Sequence, residues 1–184
     1  MKLANLALTV LLSVGSVVSY DPSKPECVAA EKNIGWYQGK YSEVCAVMIN
    51  ECAGKGTYST WIWGKTACIA AAICTGSKIT QLLARCANDN ILSREQVPAM
   101  SKNVYRNIVG PCADQGCPIT QQKYVDWVYG AIKTLNQSRN TTLWPESGEY
   151  VVENWWKPLK EWTKTGDVVP YKNLNDFLHY ADLV

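Results

Sequence analysis

A chain of 184 residues that is 47% apolar and 18% charged has a globular make-up, which excludes a disordered polymer and a collagen-like one. Its formal charge of +2 supplies no basic stripe with which to displace counterions from phosphates, so no nucleic-acid partner is expected.

The first segment reads as a leader. Lys2 precedes an unbroken weakly polar to apolar run from Leu3 to Val18, and Val17 with Ser19 supplies the small-residue pattern of a cleavage site; Val14 and Ser16 repeat it three residues earlier. The run falls short of the ~20 residues that span a bilayer. A secretory signal is therefore expected over residues 1–19 and one secreted domain over 20–184, with no transmembrane segment. Within that domain, 20–135 reads as a cysteine-bridged helical body and 136–184 as a glycosylated loop followed by a C-terminal arm.

Helical patterning begins at Ile34, from which Tyr37, Tyr41, Val44, Met48 and Cys52 step by three or four until Gly54 stops the run. A second helix is expected from about Thr66 to Ala87, with Ala70-Ala71-Ala72 favouring it and Thr75-Gly76-Ser77 kinking it. The third opens with Ser93 as N-cap and Gln96 three residues on. It carries Val97, Met100, Val104 and Ile108, is weakened by Pro98, and ends at Gly110-Pro111. The fourth starts from Thr120 as cap and presents Tyr124, Trp127, Val128, Ala131 and Leu135 on one side. Beyond it, Leu159–Lys164 and the Leu174, Phe177, Leu178, Ala181 set, capped by Asn173, read as two short helices.

All eight cysteines, Cys27, Cys45, Cys52, Cys68, Cys74, Cys86, Cys112 and Cys117, follow the leader, and an even count in an oxidising compartment predicts four disulfides. No C-x-x-C pair is present and the single histidine, His179, is remote, so neither a metal nor another cofactor is expected. A rise of ~1.5 Å per residue puts Cys45 and Cys52 about 10 Å apart along one helix, beyond the roughly 7 Å that a bridge tolerates. The same holds for Cys68 and Cys74. The helical cysteines are expected to join neighbouring helices, with Cys112 and Cys117 pairing locally or stapling a loop to a helix. Two acceptor sequons, Asn136-Gln137-Ser138 and Asn140-Thr141-Thr142, point to an exposed glycosylated loop.

Nucleophile–base chemistry has little support, because His179 lies in a short terminal helix and no G-x-S-x-G elbow exists. Gly64-Lys65-Thr66 imitates the end of a phosphate loop, but Ser59 stands where its first glycine belongs. Carboxylate chemistry needs no local signature. Glu149 and Glu153, four apart beside Trp155 and Trp156, are candidate catalytic acids, as are Asp126 beside Trp127 and Glu161 beside Trp162. The more telling feature is 8 Trp and 10 Tyr against one Phe, a preference for rings that carry a polar edge. Trp61 with Trp63, and Trp155 with Trp156, are therefore the candidate ligand-binding residues, as platforms for a sugar ring or anchors in a partner protein.

The expected fold is mainly α, a small disulfide-stapled bundle of about four helices with an aromatic-rich C-terminal arm packed on its outside. The expected function is that of a secreted, non-enzymatic interaction protein, effector-, toxin- or lectin-like, whose partner is an extracellular glycan or a host or cell-surface protein. A small secreted glycoside hydrolase using two carboxylates is the first alternative. An extracellular lipid-binding helical protein, with an apolar cavity between its helices, is the second. A saposin-like lipid binder also staples helices with disulfides, but its domain is shorter and its cysteine spacing differs.

Overall fold

A computed structural model describes residues 24–36, 43–54 and 60–182. The expected leader and the stripe positions Tyr37 and Tyr41 lie outside the described residues. The chain is mainly helical, with α1 at Pro25–Trp36, α2 at Glu43–Ala53, α3 at Thr66–Thr75 and α4 at Ser77–Ala87. The second half adds α5 at Lys102–Val109, α6 at Gln121–Arg139, α7 at Gly148–Val151, α8 at Lys157–Thr163 and α9 at Tyr171–Tyr180. Two two-residue strands, β1 (Ile119–Thr120) and β2 (Val168–Val169), pair antiparallel, with Ile119 opposite Val169. Among the described residues no helix is long and apolar enough to cross a membrane.

The centre is α3. Every residue from Cys68 to Thr75 is buried, so this helix is apolar on all sides rather than along a stripe, the mark of a core helix. It packs against α2, α4 and α6, and the run Ala70-Ala71-Ala72 lets those neighbours approach closely. Its end fulfils the expected kink as a full break. Gly76 takes φ 95°, a conformation that side-chain-bearing residues rarely adopt, and Ser77 restarts the helix while its hydroxyl donates to the Ala181 carbonyl at 2.9 Å.

Three disulfides join helices in the expected manner, Cys27–Cys86 from α1 to α4, and Cys45–Cys74 and Cys52–Cys68 from α2 to α3. Neither of the two pairs forbidden by helical rise is bonded. The expectation of a fourth bridge is corrected, since Cys112 and Cys117 are both free thiols.

The third helix starts later than its sequence signal suggests. Ser93 and Gln96 do meet, through a 3.2 Å side-chain hydrogen bond, but they close only an isolated turn. Pro98 has no N–H to donate and disfavours helical geometry at Val97, so the helix begins after Ser101, whose hydroxyl accepts from the Asn103 N–H. The intervening backbone finds its partners elsewhere. Trp61 Nε1 donates to the Ala99 carbonyl at 2.8 Å, the Met100 N–H to Asn175 Oδ1 at 2.8 Å, and the Ser101 N–H to the Trp63 carbonyl at 3.0 Å. His179 closes the same seam, with ring nitrogens 2.7 Å from the Asn175 carbonyl and 3.1 Å from that of Val97. Its ring is packed into that seam.

The C-terminal segment does not lie outside the bundle but supplies part of its core. Trp155, Trp156, Leu159, Leu174, Phe177 and Leu178 are all buried. Val152–Trp156 is a turn of π-helix in which the Lys157 N–H reaches back five residues to the Val152 carbonyl. Pro158 follows directly and can donate no N–H to the carbonyl four residues before it, a recurrent cause of local rewinding.

Candidate functional site

The burial of the aromatic side chains corrects the proposed binding platforms. Trp63, Trp155 and Trp156 are at most 2% exposed, and Trp61 is half-buried with its N–H committed to Ala99. Both members of the adjacent pair are covered because the π-helical turn touches α3 and α6 at once. Trp156 stacks on Tyr124 with centroids 5.2 Å apart, and Trp155 meets Tyr150 edge-on at 6.0 Å. Among the described residues, the large apolar side chains left exposed are Trp144 and Tyr180. Trp144 is 47% exposed and lies flat against Tyr129, ring centroids 5.9 Å apart.

The candidate acids Glu149, Glu153 and Asp126 all stand exposed. Glu149 and Glu153 are both exposed, on α7 and the π-helical turn, and Glu153 pairs with Lys157 one turn on. Asp126 sits on α6 and accepts from Gln122 Nε2 at 2.8 Å. Among the described residues no cluster of three or more His, Cys, Asp or Glu side chains could hold a metal.

The two sequons differ. Asn140 is exposed at the end of α6, in left-handed geometry with φ 52°. Asn136 is buried, which corrects its place in an exposed loop: its amide nitrogen donates to the Leu143 carbonyl at 2.7 Å, and its oxygen accepts from the Thr141 hydroxyl at 2.8 Å and the Leu143 N–H at 3.1 Å. A glycan on that nitrogen competes with the bond to Leu143.

A cleft of about 770 Å³ opens between α2, α3, α5 and α6. Ala67 and Ala70 of α3 form one wall with Met48 of α2, and Ile108 and Val109 at the end of α5 add to the lining. The opposite wall is the face of α6 that carries Trp127, Gly130, Ala131 and Leu135, spaced so that they share one side of the helix. Gly130 lies inside a 19-residue helix, where a glycine costs about 1 kcal/mol relative to alanine, and a Cβ built on it meets nothing within 4 Å. A methyl group at this position would point into open space.

Charged groups at the rim are engaged with protein partners. Glu51 accepts from Arg139 Nε at 2.9 Å and Nη2 at 2.7 Å, and Lys123 Nζ lies 3.6 Å from the Cys112 sulfur. Burial holds the ammonium of Lys65, one residue before α3, below the ordinary lysine value, against the smaller raising effect of the Glu51 charge. The cleft therefore offers mainly apolar walls, with polar side chains such as Thr66, Asn107, Thr134 and Ser138 among its lining. Most of its residues lie outside the sequence-based candidates, Asp126 at the rim being the exception. The available signal was Gly130-Ala131, small residues interrupting an otherwise bulky helical face. No protein-family model, curated protein or solved structure matches the chain.

Proposed function

We propose that the protein is an exported, non-enzymatic binding protein whose ligand is a small, largely apolar molecule held in the cleft between α2, α3, α5 and α6. The carrying observation is the cleft itself, whose 770 Å³ lies within the ~300–1,000 Å³ typical of small-molecule sites and whose walls are mainly apolar. The disulfides support it. Cys45–Cys74 and Cys52–Cys68 clamp α2 to α3, so that the wall they form together is fixed before a ligand arrives and less ordering entropy is lost on binding. Export rests on the leader and on bridges that persist in oxidising compartments. Titration with 1-anilinonaphthalene-8-sulfonate, then competition by uncharged and acyl-chain compounds, tests the reading. One saturable, competable site is expected; its absence overturns the proposal.

A second reading keeps the aromatic contact surface and moves it to Trp144. The stack on Tyr129 holds that indole flat and half open, as a sugar ring or a partner's apolar group requires. Screening the glycosylated protein and Trp144→Ala against a glycan array tests it. Glycan binding lost in the variant supports this reading, and binding that survives the substitution removes Trp144 from it.

A further inference from the structure

The geometry points to a second site, a thiol–disulfide exchange centre in which Cys112 attacks an external aliphatic disulfide and Cys117 resolves the adduct. The proposal is independent of the cleft reading.

The loop that holds the two cysteines is built to keep them together. A 3-10 turn over Pro111–Gln115 and a left-handed Gly116, at φ 77°, reverse the chain so that the Cys117 N–H donates to the Cys112 carbonyl at 3.3 Å. Arg106 of α5 clips the loop through Asp114 at 2.8 Å, and Tyr105 Oη donates to the Cys117 carbonyl at 2.6 Å. Both thiols are half-buried beside exposed residues, so a small reagent can reach them. The six bridged cysteines are each at most 9% exposed.

The two sulfurs are chemically unequal. A hydrogen bond from the Cys117 thiol, followed by the nearby Lys123 ammonium, holds Cys112 below the ordinary thiol value. The same interaction pushes Cys117 up. The thiolate is the attacking species, so Cys112 leads and Cys117 follows. In the first step the Cys112 thiolate forms a bond to one sulfur of the external disulfide, whose S–S bond breaks to release one thiolate. In the second, Cys117 gives up its proton to solvent and attacks the Cys112 sulfur, expelling the second thiolate. Both released thiolates take up protons. Two electrons pass from the protein dithiol to the external disulfide, leaving a Cys112–Cys117 bridge and two small thiols.

The test uses the purified full-length mature protein, treated with a mild phosphine reductant and then with glutathione disulfide. Peptide mapping of the reduced wild type after brief, sub-stoichiometric iodoacetamide should find Cys112 labelled about tenfold ahead of Cys117. With glutathione disulfide the wild type should lose both thiols without a lasting adduct, whereas Cys117→Ser should retain one glutathione on Cys112. The three helix-joining bridges should survive the mild reductant. Any of three results overturns the proposal: thiols inert to glutathione disulfide in the folded wild type, labelling of Cys117 first, or a Cys112–Cys117 bridge that resists reduction as the buried ones do. The labelling order needs no variant, so a misfolded Cys117→Ser would not protect the idea.

Discussion

Asn136 shows how far a residue's role departs from its local motif. Its sequon reads as a surface feature, yet its amide fastens residues 141–143 back onto α6 with three hydrogen bonds. Asn136→Ala strands those partners and is expected to lower unfolding free energy by about 1–3 kcal/mol, read from urea denaturation. Produced in a glycosylating host, the folded protein should carry its glycan on Asn140 and not on Asn136; glycopeptide mapping decides this, and full occupancy at Asn136 would contradict the buried amide. The titratable residues give a signed pH dependence. Lys65 has a folded value below its unfolded one, so at neutral pH the unfolded chain binds its proton more readily and the group opposes folding. That opposition fades as pH rises toward about 10.5. Lys65→Met should therefore raise the urea midpoint at about pH 7 and lose that advantage near about pH 11. Tyr105, Tyr124 and Tyr171 act in the opposite sense. Burial raises all three, so the stability that their neutral forms carry is complete below about pH 10 and is lost as pH climbs beyond it. Little of this was legible in the chain, because whether an Asn or a Trp is covered depends on which distant element lands on it.

The helices were more legible than the residues they bury. Thr120 caps α6 as its sequence implies, accepting from the Lys123 N–H, and the stripe from Tyr124 to Leu135 follows the period of the helix it forms. Both signals are local, which is why they survive folding unchanged. Ser93 carried an equally good cap signal and failed, because the proline five residues on removes a donor that a continuing helix needs. The two-residue strands were invisible at sequence level, being too short for any alternation, and they arise only because β1 and β2 are brought together by tertiary packing. The cleft's signature, Gly130, belongs to this scale too. Since a Cβ there meets open space, Gly130→Ala should stabilise the protein by about 0.5–1 kcal/mol through α6 alone, as a higher Tm with an unchanged circular dichroism spectrum.

For the whole molecule the bridges and the cleft are one design. The cysteines paired across helices because rise along a helix forbids nearer partners, and that much follows from spacing; which helices would meet does not. Sequence separations of 16, 29 and 59 residues give chain-entropy contributions of roughly 3–4 kcal/mol per bridge, largest for Cys27–Cys86. Replacing both Cys52 and Cys68 by Ala should lower the urea midpoint. It should also weaken probe binding, since α2 is then less firmly held to α3; a variant less stable but equally tight would separate the bridge from the site. The C-terminal segment extends the same logic, adding aromatic bulk to the core without cysteines, a contribution that its sequence disguised as an outer arm. Binding at the cleft is tested most directly at Gly130, by titrating 1-anilinonaphthalene-8-sulfonate into Gly130→Ala and Gly130→Trp side by side. Alanine is predicted to leave the probe's Kd within about twofold of wild type, while tryptophan, filling the open wall, weakens it at least about tenfold with the fold intact. A correctly folded Gly130→Trp protein that binds the probe as wild type does would contradict the account.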